Sequence, residues 1–165
     1  MNPGATEVCN GIDDDCNNST PEPSNCRKIV FVTSQMYDGN LGGLAGADAK
    51  CQARAQAAGL QGTYMAWIST NEGSPATRFT RSTSPYVMVN GTVVANNWAD
   101  LVDGTLAAPI TVTELGTPRP VGNTGCAGAG NATAWSAVSQ NGTGSGGSCN
   151  NFTSTSGGGL WGQVD

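Results

Sequence analysis

Histidine is absent from the 165-residue sequence, and only 12% of its residues are charged. Without histidine the chain cannot form a Ser-His-Asp or Cys-His catalytic group, or a zinc site with histidine ligands. Aromatic residues are also scarce at 6%, whereas glycine fills 24 positions. A chain of this composition depends on small residues, turns and cross-links, which disfavours a helix bundle or a coiled coil.

Basic residues are few. The chain has 7 Lys and Arg and 12 Asp and Glu, which gives a formal net charge of -5. No basic run could follow a phosphate backbone, so we expect no nucleic-acid partner. No stretch approaches the roughly 20 apolar residues of a membrane-spanning helix, so we expect no membrane span. The first residues lack the basic and apolar regions of a signal peptide, and we expect a secreted chain whose signal has been removed.

Six cysteines form an even set in a small chain rich in Asn, Thr, Ser and Gly: Cys9, Cys16, Cys26, Cys51, Cys126 and Cys149. This pattern is typical of a disulfide framework formed in an oxidising compartment, which predicts a protein outside the cell or on its surface. The alternative is a cytosolic protein with free or metal-bound thiols. That interpretation is weaker because the chain has no Cys-x-x-Cys pair and no histidine to complete a zinc site.

Two regions are predicted, an N-terminal arm at residues 1–26 and one domain at residues 27–165. The arm carries prolines, aspartates and three cysteines without apolar periodicity. The domain begins at residues 29–33, where β-branched and aromatic residues predict a buried strand. The alanine-rich segment 47–58, followed by Gly59, predicts the main helix.

Further strands and turns are predicted along the domain. Asn90 and Gly91 suit a type I′ turn, because both residues tolerate positive φ, and they predict a hairpin between two apolar runs. The other predictions are hairpin strands at 86–89 and 92–95, strands at 64–69 and 109–113, a loop at 71–84, a helical turn within 98–106, and an irregular region at 116–159 tied down by Cys126 and Cys149.

The most specific feature lies in the arm, where acidic side chains alternate in a short loop. Asp13, Asp15 and Asn17 have the spacing of the first three ligands of an EF-hand loop, which brings their oxygen atoms to one side. Ser19 adds a main-chain carbonyl and Glu22 a carboxylate. We therefore predict a Ca²⁺ site, with an acidic disulfide turn that binds no ion as the alternative.

The stretch from Glu7 to Cys16 reads Glu-x-Cys-Asn-Gly-x-Asp-Asp-Asp-Cys and resembles the MopE-type metal-binding motif of secreted bacterial proteins. The sequence departs from that motif at Asn17, Asn18 and Pro21, where the family has Asp, Gly and Asp. The resemblance implies metal binding by the arm, with fewer carboxylates than the family pattern provides.

Most of the domain resembles a bacterial extracellular family of unknown function. The resemblance rests on residues 31–33, the glycine-rich segment 39–51, residues 58–69 with their Ala-Trp-Ile-Ser sequence, residues 103–110, and later Trp135 and residues 149–152. It implies an α+β fold of C-type lectin-like or endostatin-like architecture. That fold has one main helix, short antiparallel strands and long loops rich in Gly, Asn and Thr.

Family members usually continue beyond the segment matched here by residues 159–161 into a final strand that carries cysteines, whereas this sequence ends at Asp165. The resemblance therefore implies a domain without its usual final strand, which is either truncated or supplied by another subunit. Local pairing is then expected, so the predicted disulfides are Cys9–Cys16, Cys26–Cys51 and Cys126–Cys149, each closing a loop in the unfolded chain. A Cys51–Cys149 disulfide is the competing pairing.

Other candidate sites have simpler interpretations. The four tryptophans, Trp67, Trp98, Trp135 and Trp161, are expected in the core rather than on a sugar-stacking face. Residues 96–100 hold the residue types of a lectin sugar site in the wrong order, so we predict no sugar site there. Glu72 and Glu114 are expected to be solvated loop carboxylates rather than a glycosidase pair, and we expect no enzymatic activity.

Two functions follow as expectations. The first is a secreted or cell-surface structural protein that assembles with copies of itself or with a surface partner, as a filament or surface-layer subunit. The second is an adhesin-like binding module that presents long loops to a glycan or protein ligand. Low charge and abundant Gly, Thr and Asn suit close subunit packing and favour the first slightly.

Overall fold

The computed structural model describes residues 17, 27–119, 133–156 and 161–163. Its helices are α1 at Gly43–Ala57, α2 at Pro75–Arg78, α3 at Trp98–Leu101 and α4 at Cys149–Phe152. Its strands are β1 at Lys28–Val30, β2 at Tyr86–Met88, β3 at Val93–Ala95, β4 at Thr133–Trp135 and β5 at Trp161–Gln163. The described part of the chain is thus a mixed α and β structure with one long helix and short strands, which agrees in outline with the predicted fold class.

The larger sheet has the strand order β1-β2-β3. Strand β1 runs parallel to β2, with Ile29 opposite Val87, whereas β2 pairs antiparallel with β3. The expectation of antiparallel strands is wrong for β1 and β2, because the connection that contains α1 returns the chain in the same direction. Strands β4 and β5 form a separate antiparallel pair.

The hairpin of β2 and β3 confirms the predicted strand pair but not the predicted turn. Gly91 has a φ of 87°, while Asn90 is not among the residues with positive φ. The Gly91 N–H donates to the Met88 carbonyl oxygen at 2.8 Å. This bond closes a turn centred one residue earlier than predicted, and the glycine that follows it takes the left-handed conformation, as in a type I turn with a bulge.

Helix α1 confirms the predicted main helix but also includes the glycine-rich residues 43–46. A Cβ at Gly46 would lie 2.3 Å from the carbonyl oxygen of Leu41. Glycine is therefore required for the preceding chain to pass this close to the helix. Ala47 and Ala55 are buried and turn one face of α1 toward the core.

The strand predicted at residues 64–69 is wrong. This segment pairs with no described strand; two of its backbone N–H groups bond to side chains of α1, and that of Ser69 bonds to the Ser136 carbonyl oxygen. The Tyr64 N–H donates to Gln52 Oε1 and the Ala66 N–H donates to Asp48 Oδ1, each at 2.8 Å. Polar side chains of the helix thus take the place of a strand partner, which apolar patterning does not reveal.

The strand predicted at residues 109–113 is also wrong, because this segment forms only isolated bridges, of Thr113 with Val32 and of Val112 with Pro118. The loop predicted at 71–84 contains the short helix α2. The helical turn predicted within 98–106 is confirmed as α3.

Within the described residues, the buried side chains form three clusters. One lies between α1 and α4 around Phe152, and another lies on the larger sheet around Met88. The third is aromatic, with the Trp67 ring centroid 5.6 Å from Phe79 and 5.7 Å from Trp98. Aromatic rings therefore dominate the third cluster, whereas aliphatic side chains form the cluster around Met88.

Trp135 belongs to the first of these clusters. Its ring centroid lies 6.2 Å from that of Phe152, and its indole N–H donates to the Tyr37 carbonyl oxygen at 3.0 Å. The core position expected for tryptophan is thus confirmed for Trp67, Trp98 and Trp135. The side chain of Trp161 lies outside the described part.

Candidate functional site

A polar depression opens on the surface beside α2, with a volume of about 390 Å³. Its lining consists of residues 69–74 together with Thr77 and Gly144. Hydroxyl, amide and main-chain groups share this lining about equally with apolar atoms, and Glu72 is the charged side chain among the described lining residues. We call this site the polar depression.

Local hydrogen bonds hold the loop that forms the polar depression. The Thr70 N–H donates to the Gly73 carbonyl oxygen at 2.9 Å, and the Glu72 N–H donates to the Thr70 hydroxyl at 3.1 Å. The Ser74 N–H donates to Thr77 Oγ1 at 3.1 Å at the start of α2. These bonds satisfy the backbone of a tight surface loop and leave the side chains of Asn71 and Glu72 exposed to solvent.

The opposite wall of the polar depression depends on a glycine. A Cβ at Gly144 would lie 2.4 Å from Ser69 Oγ. The Ser69 N–H donates to the Ser136 carbonyl oxygen at 3.0 Å, which keeps Ser69 in place. Gly144 therefore allows two distant parts of the chain to meet at the depression.

Helix α4 is a left-handed turn next to the polar depression. Its φ angles run from 47° at Cys149 to 59° at Phe152. Residues other than glycine rarely adopt this conformation, because their Cβ crowds the following carbonyl oxygen. The turn is fixed from outside by the N–H groups of residues 41 and 42, which donate to the Phe152 carbonyl oxygen at 2.9 and 3.0 Å. Asn151 Oδ1 accepts from the Asn71 N–H at 3.1 Å, which ties α4 to the depression.

Sequence reasoning missed this left-handed turn and assigned its residues to an irregular region. A signal was present in the pair Asn150 and Asn151, since asparagine tolerates left-handed backbone better than most residues. The burial of Phe152 at 0% exposure supplies the packing that holds the turn.

A buried charged group lies at the other end of α1. The side chain of Glu114 is 0% exposed and that of Arg54 is 26% exposed. Arg54 Nε donates to Glu114 Oε1 at 2.7 Å, and the Ser34 N–H donates to Glu114 Oε2 at 2.8 Å. Both carboxylate oxygens are thus occupied. The expectation that Glu114 is solvated is wrong, whereas Glu72 is exposed as expected.

These contacts keep Glu114 ionised. Burial raises the pKa of the Glu114 carboxyl, but the hydrogen bonds from Ser34 and Arg54 outweigh that effect, so the pKa lies below its ordinary value of 4.5. A carboxylate that is charged and fully engaged stabilises the fold and is not placed as a general acid.

A second ion pair joins α1 to α2 through Asp48 and Arg78. Cys51 lies one turn further along α1 and forms no disulfide with the other described cysteine, Cys149. Burial, followed by the negative charges of Asp48 and Glu114, raises the pKa of the Cys51 thiol to about 11. Cys51 is therefore protonated at neutral pH and is a poor nucleophile.

The predicted metal ligands Asp13, Asp15, Ser19 and Glu22 lie outside the described residues. Asn17 is described and exposed. Within the described ranges, no three acidic or cysteine side chains lie close enough to hold a metal ion. The Ca²⁺ site thus stays a prediction for the arm.

The predicted disulfides also fall largely outside the described residues. Cys9, Cys16, Cys26 and Cys126 are not described. Cys149 is buried in α4, and a Cβ at Gly39 would lie 3.0 Å from its sulfur. The three pairings stay predictions, because each includes a cysteine that is not described.

Comparison with known families adds one finding. Residues 1–22 match the family model Cu-binding_MopE, described as a putative metal-binding motif. The curated proteins include no match to this chain. Among the described residues, no helix has the length and apolar character needed to cross a membrane.

Proposed function

We propose that this protein is an extracellular binding module, in which a C-type lectin-like domain presents the polar depression to a neutral glycan and the N-terminal arm binds Ca²⁺. The observation that carries the proposal is the polar depression itself, a shallow, open site with a volume of about 390 Å³. Its hydroxyl, amide and main-chain groups suit the alternating donors and acceptors of sugar hydroxyls.

The loop that lines the polar depression is fixed by hydrogen bonds, and this supports ligand binding there. Because the loop backbone is hydrogen-bonded to itself at Thr70 and Gly73, and to α4 through Asn71, little conformational freedom remains to be lost when a ligand binds. Glu72 adds a negative charge, which favours a neutral sugar over an acidic one. Trp67 and Trp98 pack in the core, so binding at this site would depend on hydrogen bonds rather than ring stacking.

The arm contributes the metal site of the proposal. Asp13, Asp15, Asn17 and Glu22 offer oxygen donors, which hard cations such as Ca²⁺ prefer. Copper prefers imidazole or sulfur ligands, and the chain has no histidine. The name of the matched family model includes copper. Measuring whether the protein binds Ca²⁺ or copper therefore tests this part of the proposal directly.

A second candidate function is a self-assembling structural subunit. Five large hydrophobic side chains are exposed by 37% to 55% among the described residues, namely Met36, Met65, Val93, Leu106 and Leu115. Exposed apolar side chains favour packing against other copies where they form one contiguous patch. This candidate requires ordered assembly without an added ligand.

Glycan-array binding distinguishes the two functions. The wild-type protein is expected to bind neutral oligosaccharides, while Asn71→Ala and Glu72→Gln lose most of the signal because both side chains line the polar depression. Gln56→Ala, an exposed polar substitution on α1, is the matched control and should bind like wild type. Equal binding by all four proteins would refute the assignment of the site. Ordered polymers in electron micrographs, without glycan binding, would favour the structural subunit.

A further inference from the structure

A second surface pocket of about 380 Å³ lies at the β2–β3 turn and the bridge between Val112 and Pro118. Its other lining residues are Asn90, Thr111, Gly116 and Arg119. We call it the Arg119 pocket. None of its lining residues belongs to the polar depression.

Arg119 is unusual in this pocket because its Nη1 atom is buried and has no hydrogen-bond acceptor in the part of the chain that the structure describes. The Arg119 backbone is fixed, since its N–H donates to the Thr111 carbonyl oxygen at 2.9 Å. A buried cationic donor without an acceptor is unfavourable, and it leaves the hydrogen-bonding capacity of the half-buried guanidinium unsatisfied.

The carboxylates of the two described ion pairs are already engaged. Glu114 receives hydrogen bonds from Arg54 and Ser34, and the other described ion pair joins Asp48 to Arg78. Arg119 therefore keeps its positive charge without a described acidic partner, in a chain whose formal net charge is -5. An acceptor for this cation has to come from outside these groups.

Neutral donors complete the Arg119 pocket. Asn90 Oδ1 accepts from the Thr92 N–H at 3.1 Å, which leaves the Asn90 amide nitrogen as a donor. Thr111 adds a hydroxyl group, and Val112 and Pro118 form apolar parts of the wall. Apolar walls lower the local dielectric constant and strengthen a charge-assisted hydrogen bond to arginine.

We propose that the Arg119 pocket binds the carboxylate of a small organic acid, either free or as an acidic sugar unit of a polymer. One guanidinium with neutral donors supplies a single positive charge, which matches a monocarboxylate better than a doubly charged phosphate. The planar fork of arginine also fits a carboxylate with two parallel hydrogen bonds. This inference stands independently of glycan binding at the polar depression.

Titration followed by NMR tests the proposal with glucuronate, acetate, inorganic phosphate and glucose as probes. Glucuronate and acetate are expected to shift the amide signals of Asn90, Thr111 and Gly116, glucose to leave them unchanged, and phosphate to bind more weakly than either acid. A glucuronate polymer that binds while free glucuronate does not would identify the polymeric source. Shifts centred elsewhere, or equal responses to glucose and glucuronate, would overturn the proposal.

Variants give an independent test. Arg119→Gln should weaken glucuronate binding at least about tenfold, because a charge-assisted hydrogen bond is lost, and Arg119→Lys should lose less. The matched control is Arg81→Gln, which removes an exposed arginine outside the pocket and should leave the affinity unchanged. Unchanged affinity in Arg119→Gln would refute the site. If that variant does not fold, the signal shifts of the wild-type protein decide.

Discussion

The carboxylate of Glu114 and the guanidinium of Arg54 meet at 2.7 Å across 60 residues of sequence. Glu114 follows the bridge between Val32 and Thr113, and Arg54 lies in the last turn of α1. Their contact therefore joins the long helix to the segment next to the larger sheet. Ser34 adds a hydroxyl that donates to Glu114 Oε1 at 2.5 Å, so three separate parts of the chain converge on one buried carboxylate.

Replacing this carboxylate by an amide should destabilise the protein. Glu114→Gln keeps the shape of the side chain but removes the charge that Arg54 and Ser34 hold, and we expect a loss of about 1–3 kcal/mol in the free energy of unfolding. Urea unfolding measures this difference. Glu72→Gln is the matched control on an exposed glutamate and should change stability by less than about 0.5 kcal/mol. Equal effects of the two variants would contradict the structural role of Glu114.

The same group predicts how stability changes with pH. The pKa of Glu114 is lower in the folded protein than its ordinary value of 4.5. Above that value the stabilisation is fully present, and it is lost as the pH falls through the lowered folded-state pKa, because the unfolded state takes up the proton first. The stability difference between wild type and Glu114→Gln should therefore shrink as urea titrations move from pH 7 into this acidic range. A constant difference would contradict the prediction.

The left-handed turn α4 predicts an unusual order of substitutions at Asn150, where φ is 53°. Asn150→Gly should be more stable than Asn150→Ala by about 1 kcal/mol, because glycine has no Cβ to crowd the left-handed backbone. At Gln56, exposed within α1, alanine should instead be more stable than glycine by about the same amount. Thermal unfolding of the four variants checks both orders, and alanine above glycine at both positions would rule out the left-handed turn.

Calcium binding is predicted for the arm, with a dissociation constant of about 10⁻⁴–10⁻³ M, the range of weak extracellular sites. Calorimetry should detect heat on addition of millimolar Ca²⁺ to wild type, and Ca²⁺ should raise the melting temperature by mass action. Asp13→Ala should lose both effects, whereas Asp38→Ala, an exposed aspartate outside the arm, should keep them.

If calorimetry detects no heat on addition of Ca²⁺, the alternative is correct, and the arm is an acidic disulfide turn that binds no ion. Binding of copper but not Ca²⁺ would instead move the ligand assignment from the carboxylates toward the thiolates of Cys9 and Cys16, which suit Cu(I), and would contradict the predicted Cys9–Cys16 disulfide.

Local sequence signals determined several elements of this protein. The run of alanines predicts α1, because alanine has the best intrinsic helix propensity and its small side chain allows close packing. The two apolar runs around Asn90 and Gly91 predict the hairpin of β2 and β3, although the turn type depends on which residues take positive φ. The spacing of Asp13, Asp15 and Asn17 likewise predicts metal binding by the arm. The match of residues 1–22 to a metal-binding family model supports this prediction.

Tertiary structure decided the rest, because the relevant partners are far apart in the chain. Nothing near Glu114 in sequence indicates burial, and its charge is tolerated inside only because Arg54 and Ser34 reach it from other elements. The parallel pairing of β1 with β2 depends on the path through α1. Likewise, the left-handed backbone at Asn150 and Asn151 persists because Phe152 is buried and its carbonyl oxygen is bonded from residues 41 and 42. Local propensity does not include these long-range contacts. Both surface pockets therefore form only when the chain folds.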